Sequence, residues 1–259
     1  MFARFAMQNY EEPDSPKFEG KYAAAKPKYA GMITAVSYNI NFGEFIDEAI
    51  EDLSHVPLPD IIMLQEMDEM GTDRIAHATG MDYVYYPASV HKHHKNFGNA
   101  ILSRWPIIRT QKLILPRRHP ANNQMRIVTK AKLDVDGTAV CVYCVHTEVY
   151  LTTRQYRRDQ IQAITGDILN AGTHVIVGGD FNTVRRTSIR RLVEYFEALG
   201  FIRASKGVGP TVKKLWVSPS AADHIFSRGM SVVQAGRQKE ISGSDHYPIW
   251  AQLALERNA

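Results

Sequence analysis

His174-Val-Ile-Val-Gly-Gly-Asp-Phe-Asn182 is the stretch from which the rest of the chain can be read. His174 to Val177 reads as a short buried strand, and two glycines follow. Asp180 and Asn182 then sit two apart, a spacing that puts side chains on one face of extended chain. The strand delivers a carboxylate and an amide together where it leaves the core. Gly178 and Gly179 lack a Cβ, so another backbone or a ligand can approach closely. Burying a carboxylate without a partner is costly. Alone, the stretch fits either a turn in which Asp180 caps local amides or the edge of a polar site.

The 259 residues allow one large domain or two small ones. A net charge of +4 and a pI near 9.0 suit a polyanionic partner. No apolar run approaches the ~18 residues that a membrane span needs. Met1 to Pro13 has no apolar core of signal-peptide length, so the expected location is cytoplasmic. Cys141 and Cys144 have a redox-motif spacing but lie in an apparent strand, Ala139 to His146. An offset of three points them to opposite faces about 10 Å apart, beyond the ~7 Å reach of a disulfide. Both read as core residues.

Residues 1–30 form an irregular leader with Pro13, Pro16 and Pro27, a mobile arm or a strap over the domain. Residues 31–259 read as one domain. Strands are expected at Ile33–Asn39, Asp60–Glu66, Tyr83–Tyr86, Gly98–Ser103 and Ile107–Leu115. Arg126–Val135 and Thr138–His146 form a hairpin around Asp136-Gly137. Short strands at 222–227, 231–235 and 248–253 close the chain. Helices are expected at Glu44–Leu53, Asp73–Thr79, Thr152–Asn170 and Thr187–Leu199, the last capped by Thr187 or Ser188. Ten or eleven strands, several joined by hairpins, with four helices favour a mixed α/β fold. Two mixed sheets packed face to face with helices outside fit better than a doubly wound parallel sheet.

Polar groups recur at the ends of these strands or beside them: Asn39, Glu66, His146, Asp180, Asn182, Asp223, Asp245 and His246. Each alone has a bland explanation. Together they mark one cleft, because loops at one sheet edge gather them. Glu66, Asp245 and the amide oxygen of Asn39 are hard ligands that suit Mg2+ or Mn2+. Two histidines and the spare carboxylates supply acid–base groups.

Ser37-Tyr-Asn39, Leu64-Gln-Glu66, Gly98-Asn-Ala-Ile-Leu-Ser-Arg104, Val145-His146, Gly179-Asp-Phe-Asn182, Asp223-His-Ile-Phe226 and Ser244-Asp-His246 carry a resemblance in content and order. The chain resembles the endonuclease/exonuclease/phosphatase superfamily from about Ile33 to Leu253. The resemblance implies a four-layer α/β/β/α sandwich and a metal-dependent phosphodiesterase, foremost a nuclease on DNA or RNA. The alternative is a phosphoesterase on a phospholipid head group or inositol phosphate. It implies Glu66 as main metal carboxylate, with Asn39 and Asp245 close by. Asp180 would orient or deprotonate the attacking water, and Asn182 would donate to a phosphate oxygen. His246, oriented by Asp223, would contact the scissile phosphate. His146 would assist phosphate binding and leaving-group protonation; abasic-site endonucleases carry asparagine at that point, so it argues against that branch.

Other residues stand further out. Asn99 has a supporting role in phosphate or metal contacts. Trp216 reads equally as a pocket wall or a packed surface residue. Arg154, Arg157 and Arg158, with Arg185, Arg186, Arg190 and Arg191, form two basic clusters suited to a phosphate backbone, with Arg157 taken as substrate-binding. Glu148 pairs with His146 or a nearby arginine. His91 to Lys95 reads as a solvated basic loop rather than a metal site. The expected partner is nucleic acid or another phosphodiester, and the expected state is a monomer.

Overall fold

Apolar residues alternate or run continuously through the strands, and the chain answers with two sheets. A computed structural model describes residues 8–91, 94–149, 152–213 and 221–256. In chain order the first half carries β1 (Phe18–Gly20), β2 (Ile33–Asn39), α1 (Ile46–Ser54), β3 (Ile61–Met67), α2 (Glu69–Thr79), β4 (Asp82–Val90) and β5 (Asn96–Ser103). Next come β6 (Ile107–Ile114), β7 (Ile127–Val135), β8 (Thr138–His146), α3 (Arg154–Ile168) and β9 (His174–Asp180). The chain closes with α4 (Arg186–Glu197), β10 (Ile202–Arg203), β11 (Asp223–Arg228), β12 (Met230–Arg237) and β13 (Ile249–Leu255).

One sheet has seven strands in the order β1-β4-β5-β3-β2-β13-β12, the other six in the order β10-β11-β9-β8-β7-β6. The β2–β3 and β8–β9 pairs are parallel and span α1 and α3; the remaining pairs are antiparallel. Both sheets are therefore mixed. Alternation sorts the side chains into layers. Ile33, Ala35, Met63, Val142, Cys144, Ile176 and Ile225 fill the space between the sheets. Val36, Tyr38, Ile62 and Leu64 pack under α1 and α2 through Ala49, Leu53, Ile75 and Ala76. Val175, Val177 and Phe226 pack under α3 and α4 through Ile161, Ile164, Leu192 and Phe196. This is the α/β/β/α sandwich. Among the described residues no helix is long and apolar enough to cross a membrane.

Several boundaries differ from the pattern. Helix α2 begins at Glu69 rather than Asp73, because Asp68 caps it by accepting from Gly71 N at 2.6 Å. Helix α4 begins after Arg185, and neither Thr187 nor Ser188 caps it. Strand β4 runs past Pro87 to Val90, with a register shift between Pro87 and Ser89 where proline lacks a donor. Part of the expected irregular leader is a strand: Phe18 pairs with Tyr85 at the edge of the larger sheet. The buried Lys112 Nζ holds the segment before it, donating to Tyr10 O at 2.9 Å and Ser15 O at 2.7 Å. Cys144 is buried between the sheets while Cys141 is half-buried on the opposite face, both free.

Candidate active site

Inward-facing positions at the ends of β8, β9 and β11 continue the alternation that builds the core. His146 lies directly opposite Asp180 across β8–β9, and Asp223 directly opposite Asp180 across β9–β11. Three chemically active groups thus stand in one cross-strand row. What approaches the two glycines is protein. A Cβ on Gly179, which has φ +152°, would lie 1.9 Å from Val145 O, and one on Gly178 would lie 2.4 Å from Met63 Cε.

The larger sheet reaches the same point differently. Asn39 ends β2 facing inward. Strict alternation on β3 would place Glu66 with Ile62 and Leu64, under the helices. Instead the β3–β5 register shifts between Gln65 and Met67, and Glu66 takes φ +61°. A non-glycine residue in that region is strained, by about 1–3 kcal/mol, and here the distortion aims a carboxylate into the seam.

Asp180 Oδ2 is the hub. Asn39 Nδ2 lies 3.1 Å from it, Asn182 Nδ2 3.2 Å, His146 Nε2 3.8 Å and His246 Nε2 3.9 Å. Glu66 Oε1 receives Asn39 Nδ2 at 3.1 Å and lies 3.7 Å from His146 Nε2. His246 Nδ1 donates to Asp223 Oδ2 at 2.9 Å. Asp180 Oδ1 also accepts from Asn182 N at 2.7 Å, so the capping role and the site role coexist.

Two buried groups missed in the sequence hold this arrangement. Asp52 accepts from Tyr38 Oη at 2.6 Å, Ser242 N at 3.0 Å and Gly243 N at 2.9 Å, stapling the loop before His246 to α1. Gly243 makes the contact possible, since a Cβ there would lie 2.5 Å from Ala49 N. Ser244 Oγ donates to Asn39 O at 2.7 Å and accepts from His246 N at 3.1 Å. On the other side, Arg126 Nη1 lies 3.3 Å from both ring nitrogens of His146, and Nη2 lies 3.7 Å from the buried Glu148. Glu148 thus faces Arg126, and Arg157 also feels its charge. The sequence signal for Arg126 is weak, because the strand that follows carries further charged residues at Lys130, Lys132 and Asp134.

Charge follows packing. Burial opposes a charge on His246, but Asp223, Asp180 and Asp245 outweigh it and raise its pKa to about 10. Burial, then Arg126 and His246, hold His146 well below the usual histidine range, so it is neutral. Asp180 is pushed up by burial and by Asp223, against the pull of His246. Burial also pushes Glu66 up, with Arg126 and Asn39 opposing.

Some expected roles change. Asn39 turns its nitrogen, not its oxygen, toward the carboxylates; Oδ1 instead accepts from Asn41 N at 3.1 Å. It bridges Glu66 and Asp180 rather than offering an oxygen ligand. Both amide hydrogens of Asn182 are taken, by Thr147 O at 3.1 Å and Asp180, leaving none for a phosphate. Asn99 is buried and donates to Ile127 O at 3.0 Å and Cys144 O at 3.2 Å, so it ties the sheets together rather than supplying a phosphate donor. Arg157 sits outside the Asp180 cluster, with Nη1 on Val149 O at 2.6 Å. Asp245 is exposed at the rim, near enough to raise Glu66 further. Trp216 lies outside the described residues.

A divalent cation fits these donors. Glu66 Oε2 is buried with no hydrogen-bond partner among the described residues, as is Asp223 Oδ1. A carboxylate oxygen left so is an incomplete ligand set. Ligand atoms of Asp180, Asp223 and His246 lie within 4.8 Å of one another, but a charged His246 bonded to Asp223 cannot also ligate. Glu66, with Asp245 at the rim, is the better holder.

Carboxylates and imidazoles thus meet at a seam between two stacked sheets. The model of the Endonuclease/Exonuclease/phosphatase family matches residues 36–246, and the chain belongs to that family. Solved structures share the fold at low identity. A family member from Bacteroides vulgatus has a TM-score of 0.72 at 17% identity, covering 87% of this chain and 99% of its own. D. rerio TDP2 complexed with a single strand DNA product gives 0.69 at 17% identity, over 86% and 98%. A mannosyl-6-phosphatase from Bacteroides thetaiotaomicron gives 0.69 at 17%, over 86% and 100%. A UPF0294 protein from Vibrio vulnificus is 24% identical over 120 residues, 46% of this chain. The match spans 41% of that curated relative's length.

Proposed function

We propose that this chain is a Mg2+- or Mn2+-dependent phosphodiesterase that cleaves DNA or RNA. The observation that carries the reading is the hub at Asp180 Oδ2, where side chains from positions 39, 146, 182 and 246 meet within 3.9 Å. Asp180, made more basic by burial, takes the proton of a water that attacks phosphorus in line with the leaving oxygen. His246 faces the phosphoryl oxygens as a cation and offsets the charge that grows on them. Asp223 keeps that imidazole charged and oriented. Neutral His146, packed against Arg126, offers a hydrogen bond to the phosphate. Asn182 and Asn39 fix the Asp180 carboxylate from two sides. A cation at Glu66 and Asp245 supplies charge neutralisation of the phosphate and Lewis acidity when bound.

The basic charge and the DNA product held by the structurally similar TDP2 support a nucleic acid substrate. A second reading, a phosphoesterase on a sugar phosphate, inositol phosphate or phospholipid head group, draws support from the similar mannosyl-6-phosphatase. Plasmid and oligonucleotide cleavage with Mg2+ and Mn2+ tests the first. Cleavage that persists in excess EDTA counts against it. Release of inorganic phosphate or phosphocholine with nucleic acid untouched selects the second.

A further inference from the structure

The cleft continues beyond Asn182. Beside it opens a cavity of about 280 Å3 lined by Asn182, Thr183, Thr153, Arg154, Arg157 and Arg185. Arg154, Arg157, Thr183 and Ser188 also line a larger cavity of about 580 Å3 between α3 and α4, which takes in Arg158, Arg191 and Tyr195. Along α4 the two run from Arg185 to Tyr195, about 15 Å at a helical rise of 1.5 Å per residue. That is longer than one phosphate and has the active site at one end.

The charge of this groove is unbalanced. Arg154, Arg158, Arg185 and Arg191 make no salt bridge or side-chain hydrogen bond among the described residues. Glu194, the one acid lining the groove, is held by Arg190 at 2.9 Å. Arg157 is half-buried, and burial, then Arg154 and Arg185, disfavour its charge against the pull of Glu148. The sequence aggravates this at both helix starts. Neither α3 nor α4 has an acid in its first turn or a side-chain cap, and Arg154 and Arg186 stand there instead. Helix N-termini favour anions, so arginines there oppose the dipole unless an anion lies between them. The one carboxylate of the described lining is already paired with Arg190, so the groove offers its positive charge to an anion.

We infer that the α3/α4 groove is a second substrate subsite, taking the phosphates of one nucleic acid strand that flank the phosphodiester held at Asp180. The inference rests on the phosphodiesterase reading. The length of the groove favours a chain of phosphates over a compact bisphosphate.

The test uses the full chain and the double variant Arg154→Gln/Arg191→Gln, with Lys28→Gln as a control that removes one exposed charge outside the groove. Binding of a fluorescent oligothymidylate is read by anisotropy in EDTA across a salt series. The double variant binds at least tenfold more weakly with a shallower salt slope, while the control is unchanged. In Mg2+, the ratio of kcat/KM for the oligonucleotide to that for bis(p-nitrophenyl) phosphate falls at least tenfold in the double variant. Equal binding by wild type and double variant, both folded by circular dichroism, overturns the subsite. So does a control that weakens binding as much. If an inositol bisphosphate is bound as tightly as the strand and loses as much in the variant, the strand is overturned in favour of a compact ligand. Strand binding lost in the variant, with no phosphodiester cleaved by wild type, upholds the groove and sinks the catalytic reading.

Discussion

The two sheets bring their polar groups to the seam by different means. The six-stranded sheet uses register: His146, Asp180 and Asp223 are cross-strand partners, and ordinary pleating points them inward. The seven-stranded sheet uses exceptions: a strained residue at a bulge for Glu66, and a loop stapled by Asp52 for His246. A group on a ladder can be misplaced only by slipping a whole strand. A group on a bulge or stapled loop depends on a few local interactions. The ladder side should therefore fail only through chemistry, and the other side through geometry as well.

Asp180→Asn probes the ladder side and has the largest expected effect. It lowers kcat by about 10^4 while thermal stability changes little, since relief of a carboxylate disfavoured by burial is offset by an amide that faces the donors of Asn39 and Asn182. Turnover within tenfold of wild type would remove Asp180 as the hub. Glu66→Gln probes the bulge. We expect a loss of about 10^3 in kcat/KM, and disappearance of the rise in Tm that Mg2+ gives wild type. The metal-free Tm changes little, because the charge that is removed is one that burial already disfavours. An undiminished Mg2+ response would put the cation elsewhere.

Asp52→Asn attacks the staple. It leaves amide donors of Ser242 and Gly243 facing an amide, and should cost about 2 kcal/mol in urea unfolding. Turnover should fall with it, although Asp52 touches none of the reacting groups; full turnover at reduced stability would separate the staple from the chemistry. The smallest effect is a pH dependence at Asp223→Asn. In wild type the histidine pKa is raised from 6.5 to about 10. The stabilisation from the pair is therefore complete below pH 6.5 and is lost as pH rises through about 10. The stability gap between wild type and variant, measured in EDTA, should narrow across that window, and the His246 ring should titrate lower in the variant by NMR. A gap constant across the window would break the assignment.

The same contrast decides what was legible beforehand. Val140, Val142, Cys144 and His146 alternate on one face, as do Ile176, Gly178 and Asp180, so the ladder side could be read from period alone. The order of motifs placed Glu66 and His246 in the same cleft, yet nothing local in Ile61 to Met67 announces the bulge. Asp52 was invisible because the loop it holds, Ser242 and Gly243, lies 190 and 191 positions away. Residue type makes Asn39 a candidate oxygen ligand, and the family motifs make Asn99 and Asn182 candidate phosphate or metal contacts. Which end of an amide faces a site, and whether its hydrogens are already committed, depends on carbonyls from other strands.

Gly243 rests against Ala49 with no side chain between them, and Asp52 sits one turn further along the same helix. The outward face of that helix carries Asp47, Glu48 and Glu51 to solvent. The loop that carries His246 is thus moored to that helix, so any repacking of Ala49 is felt at the imidazole's own backbone.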